Sequence, residues 1–211
     1  MFKRIVLLSL LFVTFIGAFA AFKVNEVLEH KLPILTPTLL TLDKGTSALK
    51  LTSRLTAKGW LAEELWLKLY LKLNPDKTHI KAGTYQLDAN TTIMQLFTLL
   101  IDGKEHQFTV TFIEGSTFKD ILAQLSTEEQ VTQTLATKRA DEVAKIIGIR
   151  QKNPEGWLFP DTYAFTAGTK DITILRRAYS QMNERLDVLW EQRALGLPYK
   201  SPYEALIMAS I

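Results

Sequence analysis

Cysteine is absent from these 211 residues, which excludes a disulfide framework and thiolate chemistry. The three histidines, His30, His79 and His106, stand far apart and show no ligand spacing, so no metal centre is expected. Blocks of lysine and arginine are missing as well. Of 25 basic residues, Lys3 and Arg4 sit at the extreme N-terminus, leaving 23 against 22 acidic ones. That near balance gives no reason to expect nucleic acid as a partner. The length suits one or two domains, each with its own apolar core.

One long hydrophobic run is present. Lys3 and Arg4 precede an uncharged stretch from Ile5 to Phe22, which Lys23 closes. Such a run matches the short end of a membrane span and exceeds most signal-peptide cores. Ala18-Phe19-Ala20 also fits a signal-peptidase site, so a cleaved leader is the alternative to an anchor. We read Ile5–Phe22 as an uncleaved anchor in the lipid bilayer. Positive residues ahead of it would hold the N-terminus in the cytoplasm, with everything after Lys23 outside.

Beyond the anchor, Val24 to Pro37 reads as a stalk. Leu39 to Leu42 is a short strand, followed by the turn Asp43-Lys44-Gly45-Thr46-Ser47 and a helix with Ala48, Leu51 and Leu55. Ala62 to Leu73 alternates leucine strictly, yet lacks β-branched residues; its helix formers predict a helix with Trp66, Leu69, Tyr70 and Leu73 on one face. Ile80 to Leu87 is a strand holding Gly83, and Ile93, Leu96, Phe97 and Leu100 mark a helix that stops near Gly103. Gln107 to Ile113 alternates like a half-buried strand. Thr127–Leu135 and Lys138–Ile147 read as two short helices. Asp171 is expected to cap a long helix striped by Ile172, Leu175, Tyr179, Met182, Leu186 and Leu189, ending near Leu195-Gly196.

An internal echo is present. Gly45-Thr46-Ser47 followed by Leu51 and Leu55 has the spacing of Gly115-Ser116-Thr117 followed by Ile121 and Leu125. Both read as strand, glycine turn, hydroxyl cap and amphipathic helix. Many β-to-α turns share that pattern, so the echo alone does not establish a repeat.

The densest stretch is Glu155-Gly156-Trp157-Leu158-Phe159-Pro160-Asp161-Thr162-Tyr163-Ala164-Phe165. It fits neither helical nor strand periodicity. Carboxylates beside flat rings suit a sugar, since the former hydrogen-bond hydroxyls and the latter cover apolar pyranose faces. Packing around a core is the competing reading of the same residues. At the other end, Ser201, Pro202 and Glu204 form a capping box for a final apolar helix. That helix meets no stop signal before Ile211, and we expect these residues to be part of a longer protein.

Five local motifs carry a family resemblance: Asp43-Lys44-Gly45-Thr46, Lys81-Ala82-Gly83-Thr84-Tyr85, Phe112-Ile113-Glu114-Gly115, Glu155 to Tyr163, and Ala205-Leu206-Ile207-Met208-Ala209-Ser210-Ile211. The sequence resembles the YceG-like proteins, the membrane-anchored endolytic murein transglycosylases usually called MltG. The resemblance implies an α+β chain: an anchor over 1–23, a stalk over 24–37, a LysM-like glycan-binding domain over 38–105, and an incomplete catalytic domain over 106–211. It implies cleavage of the MurNAc-β-1,4-GlcNAc bond of peptidoglycan with formation of a 1,6-anhydro end.

The tethered C6 hydroxyl is the nucleophile in that reaction, so one glutamic acid with a raised pKa serves where ordinary glycosidases need two carboxyl groups. The resemblance puts that glutamate a few residues beyond Ile211, so no catalytic residue is expected within these 211. Glu204 is better explained by its capping box. Glu155, Asp161, Trp157 and Tyr163 are the candidates for supporting or substrate-binding roles, and Phe159 is at least as well explained by packing. Gly45, Gly83, Gly115 and Gly156 are the motif glycines. No cofactor is implied. Peptidoglycan strands and cell-wall synthases near the bacterial inner membrane are the implied partners. A membrane-tethered glycan-binding scaffold without catalysis is the alternative. An aminodeoxychorismate lyase reading would need a pyridoxal phosphate site, for which no distinctive motif is found.

Overall fold

A computed structural model describes residues 2–149 and 153–211. The fold is α+β, mostly helical, and divides into two compact units, Met1–His106 and Gln107–Ile211.

The first unit begins with α1 (Phe2–Leu28). Residues 3–28 form one helix long and apolar enough to cross a membrane, and its most apolar stretch is unburied. Its hydroxyls are satisfied within the helix: Ser9 donates to the Val6 carbonyl and Thr14 to that of Leu11. The helix does not stop at Lys23. It runs to Leu28, which is buried together with Leu32 and Ile34 in the first core. Residues expected as a stalk are thus partly core, because their leucines and isoleucine find apolar partners and the Leu32 N–H finds the Thr91 carbonyl.

β1 (Thr38–Leu42) pairs antiparallel with β2 (Gly83–Leu87). Between them lie α2 (Ala48–Ala57), α3 (Leu65–Leu73) and a 3-10 turn over Pro75–Thr78; α4 (Ile93–Asp102) follows. Ser47 caps α2 by accepting from the Lys50 N–H. Thr92 and Gln95 close a reciprocal capping box on α4, which Gly103 ends in the left-handed conformation. In α3 the buried residues are Leu67 and Leu71, while Leu73 is exposed. The predicted face is therefore displaced: the alternating leucines offer several stripes of similar apolarity, and contact with the core selects one.

In the second unit β3 (Phe108–Thr111) pairs antiparallel with β4 (Thr162–Phe165). α5 (Phe118–Thr127) and α6 (Ala140–Ile147) lie between them, and α7 (Asp171–Glu191) and α8 (Pro202–Ala209) follow. The helix expected over Thr127–Leu135 is not formed beyond Thr127. Its backbone is diverted. Thr132 N–H bonds the Thr169 carbonyl, and the N–H groups of Thr134 and Leu135 bond the Asp171 carboxylate. Asp171 itself is the first residue of α7 and not its cap, which is Lys170. Only one of its bonds, to the Ile172 N–H at 2.7 Å, serves its own helix. The buried stripe of α7 is Asp171, Ile174, Leu175, Ala178 and Met182, and the helix ends at Glu191, short of Leu195.

Candidate functional site

The stretch from Glu155 to Phe165 crosses the second unit as an irregular segment that becomes β4. Its two carboxylates are tied to different elements. Glu155 Oε2 accepts from the N–H of Phe118, the first residue of α5, at 2.7 Å. Thr117 and Asp120 close a capping box on the same helix end, so Glu155 takes an N–H that the box leaves over. The motif Phe112–Gly115 meets the same segment directly, because the Phe112 N–H donates to the Asp161 carbonyl at 2.9 Å.

Asp161 faces α7. It accepts from Gln181 Nε2 at 2.8 Å and from the Thr162 N–H at 2.7 Å. The Gln181 bond, then the Thr162 N–H, and then the charge of Arg185 hold its carboxyl below the usual aspartate range. The residue is exposed.

The two aromatic candidates lie inside. Trp157 and Tyr163 are 6% and 5% exposed, so any ligand meets their surroundings before it meets their rings. Trp157 stacks on Tyr203 at 4.6 Å, and Tyr203 donates its hydroxyl to the Glu155 carbonyl. The indole Nε1 is buried without a hydrogen-bond partner among the described residues. Tyr163 packs against Phe112 with ring centroids 5.0 Å apart and donates its hydroxyl to the Phe159 carbonyl. Burial, and secondarily the charge of Asp161, pushes its pKa up to about 12. Phe159 is half-buried under the Arg185 guanidinium.

The motif glycines all hold positive φ: 82° at Gly45, 151° at Gly83, 80° at Gly115 and 78° at Gly156. Glu204 accepts from the Lys200 N–H at 2.7 Å, while Ser201 accepts from the Glu204 N–H, so the final capping box closes one residue early. Among the described residues no cluster of three or more histidine, aspartate or glutamate side chains is placed to hold a metal.

Sequence reasoning missed Tyr203, Gln181 and Phe118. Gln181 and Phe118 were inconspicuous within amphipathic helices, and Tyr203 sat within a capping box. Nothing local signals contacts spanning twenty to forty-eight residues.

The model of the YceG-like family matches residues 40–211. The chain belongs to the YceG-like family. The match takes in all five motifs and leaves α1 outside. No match was found among curated proteins. Among solved structures, a crystal structure of a YceG-like protein from Listeria monocytogenes is similar at 19% identity and a TM-score of 0.30, covering 74% of this chain and 57% of that one. The chain thus spans little more than half the length of that YceG-like relative.

Proposed function

We propose that this chain serves a membrane-anchored endolytic transglycosylase that cuts MurNAc-β-1,4-GlcNAc bonds of nascent peptidoglycan and leaves 1,6-anhydro ends. The observation that carries this reading is the family match over residues 40–211, within which the Glu155 motif is tied to the N-terminus of α5. These residues supply the anchor in α1, a LysM-like unit that grips glycan, and part of the catalytic body. The N-terminus is cytoplasmic and everything after Lys23 stands outside the inner membrane, where cell-wall synthases deliver new strands.

In the second unit Glu155 and Asp161 are positioning carboxylates. Each retains lone pairs beyond its protein bonds, which leaves capacity to accept from sugar hydroxyls. Trp157 and Tyr163 stiffen the wall from behind. The proton-transferring glutamate belongs, by the family resemblance, a few residues beyond the Ala205–Ile211 run, on the same helix.

The test is digestion of purified peptidoglycan by the product of the whole reading frame that encodes this chain, with mass spectrometry of the released ends. We expect anhydro ends, which lack the water that hydrolysis adds. Reducing ends would overturn the reaction assignment. Binding without cleavage would favour a tethered glycan-binding scaffold, and neither binding nor cleavage would remove the glycan reading altogether.

A further inference from the structure

We infer that the chain holds two copies of one β–α–α–β–α unit, and that the turn Ile113–Thr117 of the second copy is a second N-acetylhexosamine-binding turn, the counterpart of Asp43–Ser47 in the first. This rests on the reading given above that the first unit grips glycan, with the turn Asp43–Ser47 taken as the place.

The correspondence runs from β1 to α4 against β3 to the first turns of α7. Residues 41–50 and 111–120 have the same sequence of buried, half-buried and exposed positions, residue for residue. Thr46 N–H bonds the Asp43 carbonyl, and Ser116 N–H bonds that of Ile113. Ser47 and Thr117 cap the helices that follow. A generic β-to-α turn would account for that much.

It would not account for the second strands. Thr41 and Thr84 pair their hydroxyls across the first sheet at 3.1 Å, and Thr111 and Thr162 do so across the second at 2.8 Å. Leu40 faces Tyr85, and Val110 faces Tyr163. Each tyrosine is buried and donates to the carbonyl four residues earlier, Lys81 or Phe159.

The following turns also correspond. Thr91 N–H bonds the Asp88 carbonyl, as Thr169 N–H bonds that of Thr166. Ile93, Leu96, Phe97 and Leu100 are buried in α4, as Asp171, Ile174, Leu175 and Ala178 are in α7. Four of the five sequence motifs are therefore two motifs used twice: Asp43–Thr46 answers Ile113–Ser116, and Lys81–Tyr85 answers Phe159–Tyr163.

The two turns share a frame and differ in what they display. Gly45 and Gly115 are exposed with φ near 80°, and nothing lies within 4 Å of where a Cβ would stand. Beside that open backbone the first turn shows Asp43 and Lys44, and the second shows Ile113, 67% exposed, with Glu114. A carboxylate for hydroxyls next to an apolar side chain for the ring face is sugar-binding chemistry. The second turn thus offers the ligand class assigned to the first a different pair of side chains.

The experiment follows backbone amide NMR signals of the full chain in detergent micelles as a tetramer of N-acetylglucosamine is added, with maltotetraose as the control lacking acetamide groups. We expect saturable shifts at both Gly45–Ser47 and Gly115–Thr117 with the first sugar only. Glu114→Ala should weaken the second set about tenfold and leave the first unchanged. Movement of the first set alone overturns the second site while the glycan reading stands. Movement of neither set overturns that reading itself. Equal movement with maltotetraose, or no effect of Glu114→Ala, also overturns the proposal.

Discussion

Glu155 and Phe118 lie 37 residues apart in sequence and meet through a 2.7 Å bond from the Phe118 N–H to the Glu155 carboxylate. A helix start carries orphan N–H groups and partial positive charge, so a carboxylate is favoured there. Glu155→Ala should cost about 1 kcal/mol in urea unfolding of the second unit. Glu155→Gln keeps an acceptor oxygen and should lose less than half as much. If Glu155 also serves glycan, the Gln variant should bind strands more weakly despite near-normal stability.

Asp171 offers a larger effect. Its buried carboxylate accepts from the Thr134 N–H and hydroxyl, the Leu135 N–H and the Ile172 N–H. Asp171→Ala strands those donors and should destabilise by on the order of 3 kcal/mol. Hydrogen exchange at Thr134 and Leu135 should accelerate before the rest of the unit melts.

Tyr163 makes the fold sensitive to alkali. Its folded pKa is about 12, above the ordinary value of 10.0, because burial disfavours the phenolate. Up to about pH 10 the native and unfolded states both keep the proton, and this contribution to stability is complete. As pH rises from there through the folded value, only the unfolded state ionises, and the contribution is lost. Tyr163→Phe should therefore show a smaller fall in Tm across that range. At neutral pH it should cost about 1 kcal/mol for the missing bond to the Phe159 carbonyl.

Asp161 works at the other end of the scale. Its depressed carboxyl stabilises the fold above the unfolded aspartate range and loses that contribution as pH falls through its lower native value. In an acid titration followed by circular dichroism, Asp161→Asn should flatten that part of the curve.

Gly115 isolates backbone strain. Nothing crowds its missing side chain, yet φ is 80°. Gly115→Ala should cost about 1–2 kcal/mol and Gly115→Asn less, because asparagine tolerates this conformation better. Thermal melts of both variants check the order.

What could be read from the sequence follows how local each determinant is. Thr38–Leu42, Ala48–Ala57 and Ile93–Asp102 carry their own caps, turns and periodicity, and each forms within a residue or two of its expected position. In α3 the periodicity admits several faces, and only packing chooses among them. Thr127–Leu135 reads as a helix but loses the N–H groups of Thr134 and Leu135 to Asp171 and that of Thr132 to the Thr169 carbonyl, partners that no local pattern reveals. The site divides in the same way. Glu155 and Asp161 stand out in the sequence, whereas their partners Phe118 and Gln181 do not.

The continuity of α1 through Lys23 to Leu28 has a mechanical consequence. With Ile5–Phe22 in a bilayer, the first core meets the helix at the lipid boundary: Phe19 packs edge-on against Trp66, and Val24 and Val27 pack against the core before Leu28 enters it. A continuous helix packed against the core in this way is a mount and not a leash. In that setting residues 30–106 would sit at the lipid surface and turn only as the helix turns.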